Sequence, residues 1–157
     1  MQRITPFLWF DNQAEEAAEF YLSIFPNSKV NEVTRYTGEE PVGEKGAVMT
    51  VAFELEGEQF LALNGGPKFP FTEAVSFVVN CETQDEIDYY WEKLISGGGE
   101  EVQCGWLTDK YGLSWQVVPT RINEWVRDAD GFQRVMKAIM PMKKLDLATL
   151  EAAFAGK

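Results

Sequence analysis

The chain of 157 residues contains no histidine. That removes the serine and cysteine triads built on a histidine base and every histidine-ligated zinc or iron site. Cysteine is nearly absent too: Cys81 and Cys104 form no CxxC and no metal-ligand spacing. No disulfide framework is implied, and a reducing cytoplasm is the expected location. Both cysteines fall in predicted strands and read as small buried hydrophobes. No apolar run approaches the ~20 residues of a membrane span. The N-terminus MQRITPFLWF lacks the apolar core and cleavage site of a signal peptide. Basic residues are scarce, 14 against 25 acidic, for a net charge of −11. Such a surface repels phosphate backbones and anionic lipid, so neither nucleic acid nor membrane is an expected partner.

A phosphate-cradling loop is missing as well. Gly97-Gly98-Gly99 follows a predicted helix instead of opening one, which makes it a C-cap. Asn64-Gly65-Gly66-Pro67 reads as a turn that could also touch a ligand. No clustered acidic motif has the spacing of a calcium or magnesium site.

What is present is one phrase stated twice. Residues 4–25 read ITPFLWFDNQAEEAAEFYLSIF and residues 74–95 read AVSFVVNCETQDEIDYYWEKLI. Each is an apolar run, a polar turn, then an amphipathic helix. A repeat at this distance is too long for a solenoid unit and points to two fused copies of one module.

The first copy, residues 3–67, predicts a strand over 4–10 and a helix over 13–25. Strands follow over 29–37, 46–55 and 59–63, with a turn at Gly57-Glu58. Ala14, Ala17, Ala18, Tyr21, Leu22 and Phe25 make one apolar helix face. In the third strand Met49, Val51, Phe53 and Leu55 oppose Val48, Thr50, Ala52 and Glu54.

The second copy, residues 73–120, predicts a strand over 75–79 and a helix capped by Thr83 or Asp85. Strands over 101–107 and 113–119 follow; only three strands are visible in this copy, so one is expected to be split around Trp106. GEQFLAL from Gly57 echoes GLSWQVV from Gly112. Residues 121–157 form a helical tail without counterpart, with helices over 132–140 and 145–154. There Phe132, Val135, Met136, Ile139 and Met140 share one side, which is expected to pack on the core or on a second subunit. The whole is expected to be a single α+β domain of paired βαβββ modules with C-terminal helices.

Four stretches carry a resemblance to a known family: ITPFLWFDNQAEEAAEFY, FLALNGGPKFPFTEAVSFVVNCETQDEIDYYWEKL, GGGEEVQCGWLTDKYGLSWQVVP and RVMKAIMPMKKLDLATLEAAF. The chain resembles the PhnB-like branch of the vicinal oxygen chelate superfamily, the fold of glyoxalase I and the extradiol dioxygenases. Proteins of this branch are often labelled 3-demethylubiquinone-9 3-methyltransferase. The resemblance implies a glyoxalase-like curved mixed sheet, a cup between the modules and a homodimer.

It also implies where a metal would be held in metal-using relatives. Those positions fall here at Thr5 or Pro6, at Leu61, at Ala74 within one residue, and at Gln116 in DKYGLSWQV. None is a histidine or a carboxylate, so no metal and no other cofactor are expected. A methyltransferase using S-adenosylmethionine normally holds it on an open α/β sheet with glycines after the first strand; Asp11-Asn12 stand there instead.

What remains is a cup for a small apolar or aromatic ligand. Trp9, Phe10, Phe53, Phe77, Trp106 and Trp115 are expected to line it or to fill the interior. Asn64, Ser76, Ser114 and Gln116 are its polar candidates, Ser114 and Gln116 sharing one strand face. A metal-independent enzyme acting on an aromatic or quinone-like substrate is the alternative, with Glu54 or Asp109 as the only acid–base candidates.

Overall fold

A computed structural model describes residues 2–157. The chain divides into two compact units, one ending at Phe71 and the other spanning Thr72–Lys157. The first contains β1 (Phe7–Phe10), α1 (Ala14–Ile24), β2 (Lys29–Arg35), β3 (Val48–Leu55) and β4 (Glu58–Asn64). The second contains β5 (Ser76–Cys81), α2 (Gln84–Ile95), β6 (Glu100–Glu101), β7 (Trp106–Thr108) and β8 (Ser114–Pro119). It continues into α3 (Ile122–Trp125), α4 (Ala129–Ile139) and α5 (Leu147–Phe154). Each unit holds a four-stranded mixed sheet, ordered β1-β4-β3-β2 and β5-β8-β7-β6. The two orders are the same βαβββ pattern read twice.

In the first unit β1 runs parallel to β4, and β3 is antiparallel to both its neighbours. Val51, Phe53 and Leu55 are buried on one face of β3 while Thr50, Ala52 and Glu54 on the other are half-exposed. The buried face meets α1, where Tyr21 stacks on Phe53 with ring centroids 6.5 Å apart. The β3–β4 turn is Glu56-Gly57, with φ of 52° and 81°. Two central residues at positive φ match the twist of a two-residue hairpin. The turn therefore lies one residue earlier than Gly57-Glu58, and Glu58 belongs to the strand.

α1 has no side-chain cap of its own at Gln13. Asn64, at the end of β4, caps it from a distance: its Oδ1 accepts from the Ala14 N–H at 2.8 Å. α2 is capped locally, Thr83 Oγ1 accepting from the Glu86 N–H at 3.2 Å. It ends at the glycine triplet, where Gly97 and Gly98 take φ of 79° and 126°.

The strand expected over 101–107 is in fact two, β6 and β7. Between them Cys104 and Gly105 take φ of 64° and 84°. Their N–H groups leave the ladder and donate to Met142 O at 2.7 Å and Lys143 O at 2.8 Å. The tail thus supplies the carbonyls that compensate the break. Cys104 consequently sits in a partly exposed turn and not in a strand.

The tail builds its own apolar cluster of Trp125, Val135, Ile139, Leu145 and Leu150, against which Val118 and Cys104 pack. Phe154 stacks on Trp125 at 5.8 Å. The buried face of α4 is Gly131, Val135 and Ile139. Met136 and Met140 lie outside it, Met140 63% exposed, because they fall beyond the arc that meets α5. Among the described residues no helix is long and apolar enough to cross a membrane.

Candidate functional site on the second sheet

Strand alternation divides the second sheet into two faces. Trp115 pairs with Phe77 on β5 and with Leu107 on β7. These residues, with Val79, Cys81 and Val117, form the layer beneath α2. The opposite face carries Ser76, Val78 and Asn80 of β5, Ser114, Gln116 and Val118 of β8, and Trp106 and Thr108 of β7. Ser76 lies opposite Ser114, which lies opposite Thr108; Val78 lies opposite Gln116, which lies opposite Trp106.

Four sequence candidates therefore meet on one face: Ser76, Trp106, Ser114 and Gln116. Gln116 Nε2 donates to Ser76 Oγ at 3.0 Å. Ser114 is only 1% exposed, and its Oγ has no hydrogen-bond partner. An orphaned buried hydroxyl costs about 1–3 kcal/mol, so it marks a place where a further polar group would be held. Thr108 and Glu100, placed opposite each other in the ladder, belong to the same face and were not anticipated. Their membership follows from the split of β6 and β7, which the sequence only hints at.

Trp115 does not join them. It is 3% exposed, and its Nε1 donates to Asp109 Oδ2 at 2.9 Å. Period-two alternation places it opposite in sense to its neighbours Ser114 and Gln116. The same rule moves Phe10 and Phe53 to the helix side of the first sheet and Phe77 beside Trp115. Of the six aromatic candidates, Trp9 and Trp106 alone lie on helix-distal faces.

Trp9 is fixed within the first unit. Its Nε1 donates to Gly66 O at 2.9 Å, and Phe69 meets the indole edge-on at 4.9 Å. A Cβ on Gly65 would come within 2.4 Å of the indole, so that position admits only glycine. Asn64 is occupied by the fold: besides capping α1, its Nδ2 donates to Val48 O at 3.1 Å and its carbonyl accepts from the Tyr36 hydroxyl. It lines a cavity of about 410 Å³ at the α1 end of the first unit, with Asp11, Glu15, Tyr36, Val42 and Val48.

The acid–base candidates are committed elsewhere. Asp109 Oδ1 accepts from the Tyr111 and Leu113 N–H groups at 2.9 and 3.1 Å, so with Trp115 it organises the β7–β8 turn. Hydrogen bonds from Gln59 and Asn31 hold the Glu54 carboxyl below its ordinary range. It is a carboxylate at neutral pH and a poor proton donor. Burial, with Glu86 adding repulsion, pushes the Cys81 thiol up to about 12, which leaves it protonated and unreactive. The face can stack and hydrogen-bond; it has no poised base.

The ladder also refines where a metal would be held. Leu61 pairs with Phe7, and Gln116 pairs with Val78. With Leu61 and Gln116 equivalent, the counterpart of Thr5 is Ser76, two residues beyond Ala74. Neither the hydroxyl and leucine of the first unit nor the hydroxyl and amide of the second suits a divalent metal, which wants carboxylates, thiolates or imidazoles. Among the described residues no three histidine, cysteine, aspartate or glutamate side chains come together to hold one.

Duplicated βαβββ modules with mixed sheets make a glyoxalase-like fold. The family model described as 3-demethylubiquinone-9 3-methyltransferase matches residues 2–118, and the chain belongs to that family. A PhnB protein from Bacillus cereus is 38% identical, covering 76% of this chain and 100% of its own, with a TM-score of 0.68. The fosfomycin resistance protein FosX of Mesorhizobium loti shares the fold at 10% identity, covering 81% and 99%, with a TM-score of 0.57. FosX of Listeria monocytogenes, complexed with Mn(II) and sulfate, does so at 14% identity, covering 80% and 96%, TM-score 0.54. A comparison with curated proteins finds no match. The family match stops before the helical tail, so the likeness expected for residues 121–157 lies outside it.

Proposed function

We propose that the chain binds a small apolar or aromatic molecule on the helix-distal face of its second sheet, without a metal ion. The observation that carries this reading is the Trp106 indole placed in register with Gln116, itself hydrogen-bonded to Ser76. An aromatic plane beside a few polar groups is the usual composition of a small-molecule site. A thermal-shift screen with small aromatic compounds tests it, with metal analysis of the purified protein alongside. Shifts that disappear in Trp106→Ala support the reading; no shift from any compound, or a stoichiometric transition metal, overturns it.

The protein is proposed to act as a cytoplasmic homodimer. β1 and β5 are edge strands, and Phe7 and Val78 on them are 53% and 49% exposed. Apolar edges of this kind favour a covering partner. Light scattering that returns the 17.8 kDa of one chain would refute the dimer.

The family description motivates a second reading, a metal-independent enzyme on an aromatic or quinone-like substrate. The fold does not fit the methyl donor that this description implies. Neither mixed sheet is the parallel α/β sheet that normally carries S-adenosylmethionine, and β1 leads into Asp11-Asn12 without a glycine turn. Turnover abolished by Gln116→Ala in a folded protein would favour this reading; full activity in that variant would sink it.

A further inference from the structure

We infer that the ligand of this face carries no negative charge and presents a hydrogen-bond donor and acceptor side by side, as a carboxamide or lactam does. The inference rests on the binding reading above and names the chemistry that reading leaves open.

Three polar groups define the demand. Gln116 spends one Nε2 hydrogen on Ser76, which leaves a second N–H to donate and Oε1 to accept from an incoming group. Ser76 Oγ accepts that bond and keeps its own proton to donate. Ser114 Oγ, buried and orphaned, gains most from a partner. The patch thus offers one carbonyl acceptor beside one amide and two hydroxyl donors.

Charge sets the rest. Among the described residues the face contains Ser76, Val78, Asn80, Trp106, Thr108, Ser114, Gln116 and Val118, and its one charged member is Glu100 at the edge. None of these strand residues is a lysine or arginine that would compensate a carboxylate or phosphonate. An anion placed here would lose water, face the Gln116 carbonyl and sit within the field of a chain of net charge −11. A cation would gain from the Gln116 carbonyl and from the same net charge, so the discrimination is against negative charge alone.

Two isosteric probes test this: benzamide and benzoate. Titration of the full chain is followed by the Trp106 indole N–H and Gln116 side-chain amide signals in ¹H–¹⁵N spectra. Benzamide is expected to bind at least tenfold more tightly than benzoate. Ser114→Ala and Gln116→Leu are each expected to weaken benzamide about two- to tenfold, one hydrogen bond's worth, while the spectra remain those of a folded chain. Benzoate binding as tightly as benzamide would overturn this inference and leave the binding reading standing. No perturbation of either signal by any probe at millimolar concentration would refute both.

Discussion

Gln116 and Ser76 sit on adjacent parallel strands, two ladder positions out of register, and are joined by an Nε2–Oγ hydrogen bond of 3.0 Å. Their positions correspond to Leu61 and Thr5 in the first unit, where no such bond can form. The duplication has thus kept the frame and diverged in the polar content of its helix-distal faces. Because the bond is partly buried, removing either partner is expected to cost about 0.5–1.5 kcal/mol. Urea unfolding of Ser76→Ala, Gln116→Leu and the double variant checks it. A double variant as costly as the sum of the singles would show that the two do not couple.

Asn64 joins three segments: the α1 terminus, the start of β3 and, through its carbonyl, Tyr36. Asn64→Ala removes a helix cap and leaves the Val48 carbonyl without its donor. Summing a cap of ~1 kcal/mol and a hydrogen bond of ~1 kcal/mol, the loss should be about 2 kcal/mol. Asn64→Asp keeps the acceptor for Ala14 and should fall between. An alanine variant as stable as the parent would refute the capping role.

Much of this frame was legible in the sequence. Alternation in 48–55 marked β3, the alanine face marked α1, and the repeat itself implied two copies. What escaped was pairing information. Trp9 and Phe10 are consecutive in one strand, so alternation forbids both from lining one face, yet composition alone grouped them. The equivalence of Ser76 with Thr5 needed the ladder, since the repeat is inexact enough to permit Ala74. The break at Cys104-Gly105 depends on carbonyls of Met142 and Lys143, remote in sequence.

Gly99 needs no unusual φ, yet it cannot carry a side chain. A Cβ there would lie 2.7 Å from both Ile95 Cα and Thr108 O, backbone atoms that cannot swing aside. Gly99→Ala is therefore expected to destabilise by about 1–3 kcal/mol through overpacking, and Gly112→Ala to act only through its positive φ. A Gly99→Ala protein with unchanged urea midpoint would show that the α2–β6 connection relaxes freely.

The two cysteines should differ in reactivity. Cys81 is buried with its thiol raised to about 12, whereas Cys104 is partly exposed. At pH 8 an aromatic disulfide reagent should titrate one thiol in the native chain and two in denaturant. The raised value also fixes a sign. The fold favours the protonated thiol, so Cys81's contribution is complete below the ordinary value of 9.0 and is lost as pH rises toward 12. Cys81→Ala should flatten that alkaline decline; an unchanged decline would assign it to other groups.

Glu54 supplies the acid counterpart. Its carboxyl is held below the ordinary 4.5 by Gln59 first and Asn31 second. The stabilisation it gives is present above 4.5 and disappears as pH falls through the depressed value. Glu54→Gln should lower the urea midpoint slightly at pH 7 and leave it unchanged at low pH, which reduces its acid sensitivity. An identical acid profile would exclude Glu54 as a contributor.

Ser114 separates stability from binding. Its Oγ is buried without a partner, so the free protein bears the desolvation cost of a hydroxyl and gains no bond from it. Ser114→Ala removes the cost and almost no volume. The variant should be as stable as the parent or more stable, by up to about 1–3 kcal/mol, while losing affinity for a hydrogen-bonding ligand. Residues whose removal stabilises a fold mark sites where function opposes stability. If Ser114→Ala is clearly destabilised in urea, the hydroxyl has a structural partner and its assignment to the binding face is wrong.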